Sequence, residues 1–487
     1  MRSSSIVIGA GAGGLVSALY LQRAGHDVVL LEGGEHVGGC ASAFSMKGFR
    51  FLAGATTLVG LEPDMPLGRV LRELDVSFDA PVAERNMTVV QDDDALVLST
   101  DTAANQEALT RLHGADFARF WAESAALGAK GWGLITELHF PPRGPGDLLG
   151  AAGNARAWRL LPSLISSTQR KLAAAGTVSA RTRAMLDELL LVSTQARADE
   201  TPYLFGALGL EYLQRRMYLA DGGLPALLER LAQVFVARGG TLRTRTVAMA
   251  VKRQGAGYRV ETASESLDAA NVVLNLTHWD AARLVEPALA SGFEGAGRRH
   301  PDAWATCTLY VGVRDVFDAK ATPYHQLVLD APLPVTGAHS TFITLSRADD
   351  RSMAPEGFRS VTMSTHAPAR AWEGLSDAEH AERKRLVTEE LLSALARVFP
   401  AVRDAEKPVV MAGTPRTWVG FTRRAGGRVG GLPFTFATLT RGYPTGRTRF
   451  PGLARVGDTV FPGQSVPACA WGARRVMNEL IGPVEVL

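Results

Sequence analysis

Cysteine is scarce in this chain: 487 residues contain three, Cys40, Cys307 and Cys469, far apart in sequence. An odd number without metal-ligand or redox-pair spacing excludes a disulfide framework and sets the expectation of a reduced, cytoplasmic setting. An excess of charge is missing too. Fifty-two Lys and Arg are scattered among 49 Asp and Glu, and the formal net charge of +3 is too small to suggest a nucleic-acid surface. No run of about twenty uninterrupted apolar residues occurs, so a spanning helix is not expected, and attachment to a membrane surface stays open. The ten histidines make no HxxxH pair or Cys/His cluster, and GxSxG and Walker sequences are absent. Metal and phosphoryl-transfer chemistry are therefore without support.

What is present is the composition of an ordinary globular protein, 46% hydrophobic and 21% charged, at a length that suits two lobes or one domain with large insertions. The most informative stretch is residues 6–32, IVIGAGAGGLVSALYLQRAGHDVVLLE. It reads as a short β-branched strand, a turn at Gly9, Gly11 and Gly14, a small-residue helix, and a second strand closed by Glu32. Gly9 permits the tight turn, Gly11 lets a phosphate approach the backbone, and Gly14 lets the helix pack close to the strand. The free amides and dipole of the helix N-terminus then favour a pyrophosphate. Glu32 suits a ribose 2′-hydroxyl and repels a 2′-phosphate, so the adenosine half is NAD-like or FAD-like. Four glycines interrupt the apolar run and only Arg2 precedes it, unlike a secretory signal.

Further along, residues 33–60 are rich in glycine and predict a loop that wraps rather than continuing the sheet. Residues 66–80 predict a helix and turn, residues 86–99 a hairpin turning at Asp92–Asp94, and residues 103–215 a separate helical region. Within it, residues 130–175 interleave Trp132, Phe140, Trp158, Leu160, Leu161 and Ile165 with Arg143, Arg156, Arg159, Arg170 and Lys171. That mixture suits a bilayer surface, or equally a helical subdomain whose arginines lie over their own core. Residues 218–253 read as a glycine turn, a helix ended at Gly239–Gly240, and a strand. Residues 271–280 read as a further β-rich segment, with Asn275 at the strand end where such sheets place ligand-facing groups. Residues 290–415 mix strands with one long helix at 376–398. At the C-terminus a strand is followed by Gly457–Asp458, a Pro/Gly loop and a helix starting near Pro467. An Asp at that place can accept hydrogen bonds from ribityl hydroxyls, and the helix start at residues 466–468 can stabilise negative charge on a reduced flavin. NAD has neither group, so the pairing favours FAD.

These blocks carry a resemblance. GGCASAFSMKGFRFLAGATTLVGLEP, DGGLPALLERLAQVFVARGG, NLTHWD, GTPRTWVGFTRRAGGRVGGLP and above all GDTVFPGQSVPACAWGARR resemble the phytoene desaturase and carotenoid isomerase superfamily of FAD flavoproteins. The resemblance implies an α/β flavoprotein: a Rossmann-type FAD-binding domain of the glutathione-reductase and amine-oxidase type, interleaved with a substrate domain. The expected FAD-binding segments are 1–80, 216–285 and 416–487. The substrate segments are 81–215 and 286–415, with 103–215 as a helical, membrane-facing part. It further implies FAD contacts from Gly9, Gly11, Gly14, Glu32, Gly38, Gly39, Asn275, Gly457, Asp458 and, through its backbone at the adenine, Val247. Gly463, Val466, Pro467 and Ala468 would edge the isoalloxazine. Many relatives have Arg after the Gly38–Gly39 pair, where this chain has Cys40, so one phosphate contact is lost or replaced. Trp471 stands where small residues are frequent.

The implied chemistry is hydride removal from one allylic carbon of a long hydrophobic polyene and proton removal from its neighbour, in a dry tunnel that works mainly by positioning. Redox-neutral cis–trans isomerisation with reduced FAD would use the same tunnel. A flavin oxidase or saturase of another lipophilic substrate, and a non-catalytic prenyl-lipid binding protein, are the remaining readings. Asp199, Glu200 and His278 are the candidate proton acceptors, although an Asp–Glu pair before Thr–Pro also serves as a cap. No second GxGxxG occurs in strand–helix context, so oxygen or a membrane quinone is the expected electron acceptor rather than NADH.

Overall fold

The computed structural model describes residues 3–137, 154–300 and 303–483. Its first sheet is wholly parallel, in the order Leu453–Arg455, Asn271–Leu274, Ser4–Ile8, Asp27–Leu31, Thr241–Arg243. Ser4–Ile8 sits at the centre because it is buried on both faces, which its β-branched sequence allows. Its chain neighbour Asp27–Leu31 lies on one side and Asn271–Leu274 on the other, so a crevice opens where the strand order reverses. The glycine turn stands at that point.

Three helices, Ala12–Arg23, Leu224–Ala237 and Val466–Ile481, cover one face of this sheet, with Leu15, Leu19, Leu227, Leu231 and Trp471 in a shared core. Burying each such side chain stabilises the fold by about 1.5–3 kcal/mol. An antiparallel meander, Ala248–Gln254, Gly257–Thr262 and Ser266–Ala269, contributes Val251, Tyr258 and Val260 to the core on the other face.

The second sheet has seven strands and is mixed, in the order Val409–Gly413, Trp304–Arg314, Phe358–Pro368, Ser340–Leu345, Tyr324–Val328, Met87–Gln91, Asp94–Leu98. Only the pairing of Tyr324–Val328 with Met87–Gln91 is parallel. Met87 and Leu98 pack against Phe117, Phe120 and Trp121 of the helix Ala115–Glu137 and Leu186 and Leu189 of the helix Ala180–Thr194. The other side carries the helix Asp377–Val398, whose start is fixed by a reciprocal capping box: the Ser376 hydroxyl accepts from the Glu379 amide, and Glu379 accepts from the Ser376 amide.

Two expectations need correction. The glycine-rich segment after Glu32 is not all loop. Residues Ala43–Met46 and Phe49–Leu52 pair as an isolated antiparallel hairpin, because Lys47 and Gly48 both take the left-handed backbone (φ +49° and +81°) that a two-residue turn requires. Residues 271–280 are strand only to Leu274; the Thr277 hydroxyl then accepts from the Asp280 amide and starts the helix His278–Leu284.

Among the described residues no helix is long and apolar enough to cross a membrane. The helix Ala155–Ile165 nevertheless exposes Trp158, Leu161 and Ile165 (58%, 43% and 73%), while Leu160 is buried. Phe140 and Arg143 of the same aromatic and basic stretch, and the side chain of Arg156, lie outside the described residues.

Candidate active site

A cavity of about 1120 Å³ runs from the glycine turn into the space between the second sheet and the helices. Its first end is built from backbone. A Cβ on Gly14 would stand 1.9 Å from the carbonyl oxygen of Gly9, so only glycine lets the helix meet the strand. Asn275 lies across the turn and donates through Nδ2 to Gly9 O at 3.1 Å; a Cβ on Gly11 or on Gly13 would come within 2.8 Å of its amide. The second pair abuts the first: Gly38, at φ +111°, donates its amide to Ala10 O at 2.8 Å, and a Cβ on Gly39 would stand 3.8 Å from Gly11 Cα. Gly9, Gly11, Gly13, Gly38 and Gly39 all line the cavity. This cradle, which side chains would fill, fits a pyrophosphate.

Glu32 lines the same end, its carboxylate accepting from the Ala10 and Gly34 amides, both at 2.7 Å. Each oxygen keeps a lone pair, enough for a ribose hydroxyl pair. The Thr246 amide donates to Glu32 O at 2.8 Å and holds Val247 at the cavity wall. Gly457 and Asp458 line the wall beyond, where Arg424 Nη1 donates to Asp458 Oδ2 at 2.7 Å. Burial works against the Arg424 charge, but the Asp458 carboxylate outweighs it and holds the guanidinium firmly protonated. Val466 and Ala468 line the cavity at the start of the last helix, where the Ser465 hydroxyl accepts from the Ala468 amide at 3.2 Å.

Gly14, Gly463 and Pro467 do not line the cavity. Gly463 takes φ +94°, and a Cβ there would meet the Tyr443 hydroxyl at 2.6 Å; Pro467 packs against Gly60. They shape the walls from behind.

Asp199 and Glu200 are exposed and outside the cavity lining. Asp187 accepts the Ala198 amide at 2.8 Å, which turns Ala198 inward and leaves the two carboxylates in water, where an unpaired charge costs least. His278 is fully buried but also absent from the lining. Its ring lies 3.9 Å from that of Trp279 and its Nε2 is 3.3 Å from His300 O, and burial, assisted by the nearby Arg455 charge, pushes its pKa down to about 3. None of the three lines the cavity.

The far part of the cavity is walled by Trp132, Phe205, Leu208 and Leu213 from the helices, and by Met87, Phe342, Thr306, Thr365 and His366 from the second sheet. Every Asp, Glu, Lys and Arg in the lining falls at residues 32–35, 280–283, 423–424 or 458, beside the glycine cradle or Asp458; the far walls carry none. His366, Gln195 and Gln464 are the polar groups that meet where the far part joins the last-helix loop. Burial pushes the His366 pKa down to about 4, so the imidazole is neutral near pH 7. Tyr212, paired with Thr57 at 3.2 Å, is pushed up by burial and stays protonated. Gly13, Gln195, His366, Arg424 and Gln464 were not singled out from sequence. A fourth glycine within Gly9–Gly14 and the loop position of Gln464 were the available signals; Gln195 and His366 had none.

A parallel sheet with a double glycine cradle at its switch point, joined to a second sheet across one cavity, defines a flavoprotein oxidoreductase fold. Residues 12–430 match the family of flavin containing amine oxidoreductases, and the chain belongs to that family. It is 26% identical over 525 residues to prolycopene isomerase 1 of an Oncidium hybrid cultivar, covering 98% of this chain and 84% of the relative. It is also 26% identical over 508 residues to the hydroxyneurosporene desaturase of Cereibacter sphaeroides, covering 98% and 97%. Among solved structures, putrescine oxidase bound to putrescine shares the fold with a TM-score of 0.66 at 16% identity, covering 99% of this chain and 100% of that one.

Proposed function

We propose that this chain is an FAD-dependent oxidoreductase that desaturates CH–CH bonds of a long, uncharged polyene of the carotenoid class. The observation that carries this reading is the division of the cavity: the acids and bases gather at the nucleotide end, and the far walls hold no formal charge. An alkylammonium substrate would lose its hydration there without a carboxylate to replace it, which costs several kcal/mol. A polyene loses nothing.

FAD, when bound, supplies a two-electron acceptor beside the substrate. Gly9, Gly11, Gly38 and Gly39 would take the pyrophosphate, Glu32 the ribose, Val247 the adenine edge, Asp458 the ribityl chain, and the Val466–Ala468 helix start the ring. Phe205, Phe434 and Phe461 form an aromatic cluster beside that loop and keep water out. Trp158, Leu161 and Ile165 on one exposed face, flanked by exposed Arg159 and Arg170, suit contact with the bilayer from which such a substrate would come. Oxygen or a quinone is the proposed electron acceptor.

The likeness to a prolycopene isomerase along 98% of the chain favours one second reading, cis–trans isomerisation without net electron transfer. Expression in cells that make acyclic carotenoids, followed by chromatography of the pigments, separates the two. Added double bonds are expected. A changed cis/trans ratio alone would establish the isomerase, and unchanged pigments across several carotenoids would reject both.

A further inference from the structure

Four hydrogen bonds connect the C-terminus of the helix Ala180–Thr194 to His366. Gln464 Nε2 donates to the carbonyl oxygens of Val192 and Ser193 at 3.1 and 2.6 Å; Gln195 Nε2 donates to Gln464 Oε1 at 2.9 Å; and Gln195 Oε1 lies 3.2 Å from His366 Nε2. The polarity of this chain follows from its anchor. Backbone carbonyls only accept, so the amide nitrogen of Gln464 must face them and its oxygen must face Gln195. Gln195 must answer with its own nitrogen, which leaves its oxygen toward the imidazole. An oxygen there demands a proton on Nε2. No described residue bonds Nδ1, and His366 lines the cavity.

The chain is held from several sides. Gln195 takes the left-handed backbone at φ +59° as the cap of its helix, and Trp304 Nε1 donates to its carbonyl at 3.0 Å. A Cβ on Gly430 would stand 2.8 Å from the Gln195 amide, so glycine there keeps the space that the side chain needs. The Val192 and Ser193 carbonyls are among the last of the helix and have no partner within it.

We infer that Gln464 and Gln195 are positioning residues that fix His366 as the Nε2–H tautomer and present Nδ1 to the cavity as the proton acceptor for polyene desaturation. The acceptor role rests on the function proposed above; the tautomer does not. In the step, two C–H bonds on adjacent carbons break. A hydride carries two electrons to bound FAD, from which oxygen or a quinone takes them, the neighbouring carbon's proton passes to Nδ1 and on to solvent, and the electron pair it leaves becomes the new double bond. Burial, with no neighbouring charge contributing, keeps the ring neutral near pH 7, so the nitrogen without the proton carries a lone pair.

The test is nitrogen NMR of the FAD-loaded protein labelled at histidine, with the His366 signal assigned by its loss in His366→Gln. An Nε2–H tautomer is expected in the wild type, giving way to a mixture in Gln195→Leu and Gln464→Leu. His366→Gln should lower kcat about 100-fold. Gln464→Leu should lower it about tenfold with KM little changed, and both should keep a bound-flavin spectrum. An Nδ1–H tautomer in the wild type would overturn the relay whatever the activity. A flavin-loaded His366→Gln protein turning over at the wild-type rate would overturn the acceptor role. A wild type with the Nε2–H tautomer that converts no polyene would remove the function and the acceptor role together and leave the relay standing.

Discussion

The two ends of one cavity are built by different means. At the nucleotide end the recognition surface is largely backbone: glycines packed to within van der Waals distance of one another, beside charged groups of which Arg424 and Asp458 form an ion pair. At the far end it is side chain, apolar, hydroxyl-bearing or amide, with one neutral imidazole. A backbone surface has no slack, because a single added carbon displaces main chain. A side-chain surface tolerates changes of shape but not of charge. The two ends should therefore fail differently.

The largest effect is expected from Gly14→Val. Its Cβ would fall 1.9 Å from Gly9 O, and relief requires the central strand and its helix to separate. Overpacking of this kind costs more than the usual ~1–3 kcal/mol, because the obstructing atom is backbone. The variant should bind no flavin and melt well below the wild type by calorimetry. Flavin bound with wild-type affinity would show that the cradle can open.

Next comes Leu208→Asp, which places a carboxylate in the uncharged part, where Leu208 is 7% exposed. Here flavin binding should survive while polyene turnover disappears. The new carboxyl, buried without a cation, should have its pKa raised. The unfolded chain ionises it freely above about pH 4 and the folded chain does not, so relative to wild type the stability loss should grow as pH rises above about 4. Thermal melts of both proteins across pH 4 to 8 read this directly; parallel curves would mean that water or a cation already reaches the far wall.

The same contrast explains what could be read before folding. Backbone sites impose residue types at fixed spacing, so Gly9, Gly11, Gly14 and Gly38–Gly39 stood out, and Glu32 followed from the strand that ends there. Seven sheet strands, the long helix and the Asp92–Asp94 turn were also legible, since period and turn chemistry are local. The far end is not local. Gln195, His366 and Gln464 meet from a helix cap, a strand and a loop, and each alone is an ordinary polar residue. Asp199 and Glu200 illustrate the converse error: acidic residues beside a helix drew notice, but the Asp187 bond to the Ala198 amide decides which side of the turn they occupy.

The smallest effect concerns the one charge that the nucleotide end lacks by comparison with the resembling families, an arginine at position 40. Arg424 comes from a distant segment, yet it reaches the neighbourhood of Cys40: burial raises the thiol pKa, and the Arg424 charge is the next influence on it, in the opposite direction. Without Arg424, Asp458 would face an incoming pyrophosphate as an uncompensated like charge. A charge-assisted hydrogen bond is worth about 1.5–3 kcal/mol, so Arg424→Met should weaken FAD binding about ten- to a hundredfold, read by fluorescence titration of the apoprotein, while Arg424→Lys should lose less. Adding Cys40→Arg to Arg424→Met should recover part of the affinity if a cation is what this end needs. If the double variant binds no better, Arg424 serves to neutralise Asp458 and not to meet the phosphates. If Arg424→Met binds FAD as the wild type does, the ion pair is only a strut, and the backbone cradle takes the phosphates without help from this cation.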